Sequence, residues 1–330
     1  MGENSEIVGA ILAGGRGTRM LPFSDRYPKP LLPICNKPLI VYQIEMMKEL
    51  GVRDVFILVG HKGFQLSMVL GDGSCFGVRI HYVEQTEILG IAHAVGRLEP
   101  YINHPFLLFL GDIFFVPRDL SQMLTMFREQ GEGAVLAVKE EPDPAAIRKN
   151  YSVVQDASGR VRRVTEKPRH TTNRLKGVGL YLFDLSVFDA VRRTPRTAMR
   201  DEYEITDTIQ VMIDDGLTVR VANSVLNDVN ITSPADLLDC NLLEAARRPG
   251  SHLIGPGCVV HSGAVVENCV LGANVHIRHP IQLRRTVVFD NVAVDSQTNF
   301  DGFILTPEAV LNCGYGQARV SSAPVSRTQN

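Results

Sequence analysis

The chain has 330 residues, 45% of them apolar, enough to bury one substantial core and a smaller second one. A formal net charge of −2 at pH 7 offers no field to hold nucleic acid or an anionic membrane, so the expected partners are small molecules. Six cysteines (Cys35, Cys75, Cys240, Cys258, Cys269, Cys313) are scattered without a Cys-x-x-Cys pair, which argues against a zinc site or a disulfide framework and for reduced thiols in a cytoplasmic protein.

Residues 1–6 are polar and the apolar run after them stops at glycines, so neither a signal peptide nor a membrane span is expected. Val8 to Ala13 reads as a strand buried on both faces, and Gly14, Gly15 and Gly17 then let the backbone turn tightly against a ligand. Successive N–H groups in such a turn converge on an anion, with Arg16, Arg19 and Lys29 close by, so the loop suits a polyphosphate. Its spacing is neither the dinucleotide fingerprint nor the P-loop, because no Gly-Lys-Ser/Thr follows.

Leu39 to Leu50 carries apolar residues at helical spacing and is stopped by Gly51 before a strand at Asp54 to Val59. A second crossover through Phe64 to Leu70 leads to a strand at Val78 to Val83, and Phe106 to Leu110 is a central strand ending in Gly111-Asp112. This alternation predicts a doubly wound, Rossmann-like α/β mixed sheet. Leu120 to Glu129 follows as a helix and Ala134 to Val138 as a strand. Short strands at Tyr151 to Gln155, Val161 to Thr165 and Val178 to Phe183 predict a small antiparallel annex over the ligand site. Helices at Val187 to Arg192, Ile205 to Asp214 and Pro234 to Ala246, the last capped by Ser233, close a first domain over residues 1–248. Beyond the linker Arg247-Arg248-Pro249-Gly250, apolar residues recur every sixth position at Leu253, Val259, Val265, Leu271, Ile277, Leu283 and Phe289. That period predicts a short left-handed parallel β-helix of hexapeptide repeats over 249–312 and a disordered tail over 313–330.

Four further stretches carry chemistry. Asp112 at a strand end and Asp228 in Asn227-Asp228-Val229 can reach one sheet edge, where two carboxylates suit a magnesium ion bridging substrate phosphates; singly, each is equally a turn former or cap. Lys167 in Glu166-Lys167-Pro168 offers a point charge to a phosphate or stands in an exposed turn. The Gln85 amide, one donor and one acceptor, complements the imide edge of thymine or uracil, or is a polar strand-end residue.

Leu12-Ala13-Gly14-Gly15 with Gly17-Thr18-Arg19 and Lys29-Pro30-Leu31-Leu32-Pro33 resembles the signature of the sugar-1-phosphate nucleotidyltransferases, which make nucleotide sugars from nucleoside triphosphates. The resemblance covers residues 7 to about 245 closely and the repeats more loosely. It implies a nucleotide site of Leu12, Gly14, Gly15, Gly17, Thr18, Gln85, Gly90 and Asp112, with Arg19 on the leaving pyrophosphate and Lys29 on the α-phosphate. It further implies magnesium on Asp112 and Asp228, sugar hydroxyls on Glu166, the sugar phosphate on Lys167 and Arg200, and a sugar-facing Tyr151. Ile113, Ser152 and Asn230-Ile231 depart from the family's Asn, Gly and Gly-Thr at those points. Gly71-Asp72-Gly73 with Phe76-Gly77-Val78 resembles the thymidylyltransferase branch, implying glucose 1-phosphate and dTTP or UTP as substrates. A mannose-1-phosphate guanylyltransferase branch and a non-catalytic nucleotide-sugar-binding relative are the alternatives. The repeats read as an oligomerisation or regulatory element, hence a homo-oligomer.

Overall fold

The computed structural model describes residues 6–15, 17–60, 62–131, 133–198, 200–314, 319–321 and 325–328; Arg16 lies outside the described residues. The chain divides into two compact units, residues 1–16 with 43–228 and residues 17–42 with 229–330. These units do not follow the compositional boundary at residue 248.

The first unit is built on a nine-stranded sheet. Its parallel half places Val8–Ala13 between Phe106–Leu110 and Asp54–Val59, with Arg79–Glu84 outside the latter. Phe106, Leu107, Leu108 and Phe109 are wholly buried, as the crossovers Leu39–Glu49, Gly63–Leu70 and Ile91–Gly96 of such a sheet require. Helix Leu39–Glu49 packs close on the central strand at Gly9, where a Cβ would lie 2.5 Å from Met47 Sδ.

The expected antiparallel annex is instead a continuation of the same sheet. Leu175–Phe183 pairs antiparallel with Phe106–Leu110, Tyr151–Gln155 pairs with Leu175–Phe183, and Val161–Glu166 forms the edge. Ala134–Glu140 pairs with Leu175–Phe183 and Val219–Ala222. Short strands reveal their period but not their partners, so the pattern could not show that they extend a sheet begun elsewhere. Tyr151, Tyr181 and Phe183 share the first unit's core, with ring centroids 6.1 and 5.5 Å apart. A separate two-stranded pair joins Ile113–Pro117 to Val225–Asn230. Among the described residues no helix is long and apolar enough to cross a membrane.

In the second unit short parallel strands stack in three columns, begun by Leu253–Ile254, Val259–Val260 and Val265–Glu267. Each residue aligns with the one 17 positions on, as Ile254 with Leu271 and Leu271 with Val288. The strict six-residue series therefore slips by one position per coil. Leu271, Ile277 and Leu283 of that series are buried, whereas Val259 is 60% exposed and Val265 39%. The segment expected to be a disordered tail also contributes strands: Val325–Arg327 pairs antiparallel with Val292–Val294, and Arg319–Ser321 with Val310–Asn312. Their backbone groups pair with strands that would otherwise be open edges.

Helix Pro234–Ala246 opens on a capping box between Ser233 and Asp236 and carries a wholly buried asparagine. Asn241 Oδ1 accepts from Cys35 N (2.8 Å) and its Nδ2 donates to Pro33 O (2.9 Å), which fixes the hairpin Pro33–Ile34/Lys37–Pro38. The hairpin is in turn tied to the coils, because Asn36 Nδ2 donates to Leu271 O at 2.8 Å. Phe23 stacks on Phe289 with centroids 5.6 Å apart, and Arg26 pairs with Glu308 at 2.6 Å.

Cutting the chain after residue 248 removes Leu271, Phe289 and Glu308, the partners of Asn36, Phe23 and Arg26. Limited proteolysis of the truncated chain is expected to cleave first within residues 17–42, at sites protected in the full chain. An equally protected segment in both chains would show that this loop needs no support from the coils.

Candidate active site

The site begins where the parallel strands end. Gly14, Gly60, Gln85 and Gly111 follow the strands Val8–Ala13, Asp54–Val59, Arg79–Glu84 and Phe106–Leu110, so all lie at one carboxyl edge. A Cβ on Gly60 would lie 2.5 Å from Gly14 O, and one on Gly111 would lie 2.6 Å from Leu12 O. A Cβ on Gly14 would meet Gln85 Oε1 at 2.5 Å, so the glutamine amide rests against the bare glycine backbone. Gln85 is only 7% exposed, and its N–H donates to Val59 O at 2.8 Å. Leu12, Gly14, Gln85 and the Gly111-Asp112 turn are thus brought together, with Gly15 exposed at the rim.

Two further groups hold this edge. Gln43, wholly buried on helix Leu39–Glu49, donates to Leu110 O (2.9 Å) and Ile113 O (2.8 Å), bracketing the turn that carries the half-buried Asp112. Gly90 has φ 111°, and a Cβ on it would come within 2.4 Å of Tyr203 O. Backbone bonds Tyr203 N to Leu89 O (2.7 Å) and Ala92 N to Tyr203 O (2.9 Å) lock that loop to the segment preceding helix Ile205–Asp214.

A cavity of about 720 Å³ lies in the same unit, lined among others by Thr165, Glu166, Arg200, Glu204 and Asp207. Arg200 Nη1 donates to Glu204 Oε1 at 2.6 Å and stands 3.5 Å from Glu166 Oε1, while Lys167 Nζ is 3.5 Å from the same oxygen. Lys167 is held at φ 41°, a strained conformation for lysine, by its N–H donating to Asn150 O at 2.7 Å. Burial, reinforced by the neighbouring Glu204 carboxylate, pushes the Glu166 carboxyl up to about 7, against the pull of Lys167 and Arg200. Glu166 and Arg200 therefore line one cavity, and Lys167 stands beside Glu166. Tyr151 is not: its ring is 4% exposed, stacks on Tyr181, and fills the space above Gly177, where a Cβ would lie 1.8 Å from Tyr151 Cζ. Gly177 thereby turns the expected sugar-facing side chain into a core residue.

Asp228 is bound on both oxygens. Lys176 Nζ donates to Oδ1 at 2.8 Å and to Oδ2 at 2.7 Å, and Lys139 Nζ lies 3.0 Å from Oδ1. Burial pulls the Lys176 ammonium down and the Asp228 carboxylate pulls it back up, with burial the larger. Neither lysine was singled out in the sequence, although a lysine inside the otherwise apolar and glycine-bearing run Leu175–Phe183 is the signal that points to it.

Gly17, Thr18, Arg19 and Lys29 belong to the second unit. Gly17 has φ 64°, and a Cβ on it would stand 3.2 Å from Lys29 Cγ and Cε, so the Lys29 stem lies over Gly17; Arg19 is exposed on the turn Thr18–Met20.

Comparison with known proteins shows the family. The nucleotidyl transferase family profile matches residues 8–229, and that of the GlmU-like C-terminal hexapeptide region matches residues 244–315. The chain belongs to the nucleotidyl transferase family. A glucose-1-phosphate thymidylyltransferase of Streptomyces griseus is 32% identical over 311 residues, 88% of this chain and 85% of that one. The low-salt glycan biosynthesis nucleotidyltransferase Agl11 of Haloferax volcanii is 33% identical over 240 residues, 71% of this chain and 65% of the relative. A UDP-glucose pyrophosphorylase solved with UDP-glucose shares the fold, with a TM-score of 0.65 at 22% identity over 74% of this chain and 100% of that one.

Nucleotidyl transferases of this kind are generally dependent on a divalent metal. In this nucleotidyl transferase the expected pair Asp112 and Asp228 does not fit a resident cation, because both Asp228 oxygens are committed to lysine. Among the described residues no group of three or more histidine, cysteine, aspartate and glutamate side chains is arranged to hold a metal ion.

Glu166 gives a pH test. With its pKa raised from 4.5 to about 7, the folded state binds more protons than the unfolded state across that window, so stability falls as pH rises through it. The melting temperature of the wild type is expected to decline relative to Glu166→Gln between those pH values, since glutamine cannot ionise. Parallel curves would place Glu166 in water.

Proposed function

We propose that the protein transfers a nucleotidyl group from dTTP or UTP to a hexose 1-phosphate, with glucose 1-phosphate the first candidate, releasing pyrophosphate. A sugar-phosphate oxygen forms the new bond to the α-phosphorus as the bond to the β-phosphate bridging oxygen breaks. No side-chain base is needed, because the attacking phosphate is already ionised, so the protein's part is positioning and charge neutralisation.

The observation that carries this reading is the Gln85 amide, buried at the strand edge against Gly14. Held there, it presents a donor and an acceptor to a base, the complement of the thymine or uracil imide edge. The cavity lined by Glu166 and Arg200, with Lys167 beside Glu166, supports a sugar-phosphate site, Glu166 toward hydroxyls and the two cations toward phosphate. Arg19 and Lys29 keep the roles that the family resemblance implies, on pyrophosphate and α-phosphate. Assembly into a homo-oligomer and a cytoplasmic site of action belong to the same proposal, the latter supported by free thiols at all six cysteines.

Pyrophosphate release across a grid of four nucleoside triphosphates and several sugar 1-phosphates tests the assignment, with turnover expected for dTTP or UTP and glucose 1-phosphate. Equal turnover with GTP would overturn it. Gln85→Glu removes the donor and adds a charge facing carbonyl oxygens, so pyrimidine nucleotide binding is expected to weaken by about 2 to 4 kcal/mol. Sugar phosphate affinity should hold; an unchanged nucleotide affinity would show that Gln85 does not read the base.

A further inference from the structure

Lys139 and Lys176 are direct cross-strand partners on Ala134–Glu140 and Leu175–Phe183. Two ammonium groups opposed in this way repel, and burial sharpens the cost of leaving either unpaired. Their side chains are only 12% and 5% exposed, and the carboxylate that meets both, Asp228, is 1% exposed. The remaining neighbours complete a closed set: Lys139 Nζ also donates to Asn227 Oδ1 at 3.0 Å and stands 3.3 Å from Glu141 Oε2. Two lysines thus face two carboxylates, and Asn227 Oδ1 additionally accepts from Asp228 N at 3.0 Å.

A divalent cation on Asp228 would have to displace Lys176 from a bidentate contact and then sit beside two buried positive charges. We propose that Lys176 and Lys139 stand in the place of a protein-held metal: Asp228 is their counter-ion, not a metal ligand, and a divalent ion enters the site carried by the triphosphate. The route of entry rests on the nucleotide reading above; the exclusion of metal from Asp228 does not, and is tested without substrate.

The full chain, free of nucleotide, is titrated with Mn²⁺ and the free ion followed by electron paramagnetic resonance. The wild type is expected to leave the ion free, and Asp228→Asn to leave that titration unchanged. Lys176→Met, with native circular dichroism, should tighten Mn²⁺ binding at least about ten-fold, because one adjacent positive charge is gone. One tightly bound Mn²⁺ per wild-type chain that disappears in Asp228→Asn would overturn the proposal, as would a folded Lys176→Met with unchanged affinity. A second measurement covers a Lys176→Met that does not fold. Asp228→Asn should melt well below the wild type and the Asp228→Asn/Lys176→Met double variant should recover most of the loss, whereas an Asp228→Asn melting like the wild type would sink the counter-ion role.

Discussion

At the carboxyl edge of the parallel strands the backbone turns approach so closely that no side chain can stand between them. Gly60 meets Gly14 O, and Gly111 meets Leu12 O, at distances where a Cβ would lie 2.5 and 2.6 Å from oxygen. Everything else at the site follows from that closeness. Gly14 can lie against Gly60, Gln85 can bring its amide against Gly14, and Gln43 can bracket the turn bearing Asp112 with two hydrogen bonds. A rigid edge of this kind presets donors and acceptors before a ligand arrives, which lowers the ordering cost of binding.

Two charged clusters of the first unit contrast in how tightly they are closed. Glu166, Arg200 and Glu204 line an open cavity, and Arg200 contacts its carboxylates at 2.6 and 3.5 Å, so Glu166 is the more loosely held of the two. The raised Glu166 carboxyl records the same partial desolvation. Around Asp228 the contacts are all 2.7 to 3.0 Å and the side chain is sealed from water. Such a set gains nothing by opening, and removing one member leaves an uncompensated buried charge.

In the second unit a buried asparagine does for the loop what the glycines do for the sheet edge. Asn241 satisfies a donor and an acceptor of the Pro33–Pro38 hairpin, and Asn36 hands that order on to the coils. A segment distant in sequence from the repeats is therefore folded together with them.

Much of this was legible in the residues themselves. The run Val8 to Ala13, the glycines after it and the alternation of strands with helices follow from local sterics and burial, so the α/β sheet and the glycine turn at its carboxyl edge could be read directly. Placing Arg200 beside Glu166-Lys167 was legible only through family resemblance, because the separation in sequence carries no physical signal of contact. Tertiary structure alone decided the rest. Strand pairing made Tyr151 to Gln155 part of the main sheet, and the bare Gly177 opposite it drew the Tyr151 ring into the core. One shortened corner per coil moved the repeat off the six-residue period, which a count of apolar residues cannot detect while neighbouring positions are also apolar. Family resemblance is what marked Asp228 as a metal ligand; which cations reach it depends on the register that sets Lys139 opposite Lys176, and register is a property of the folded sheet.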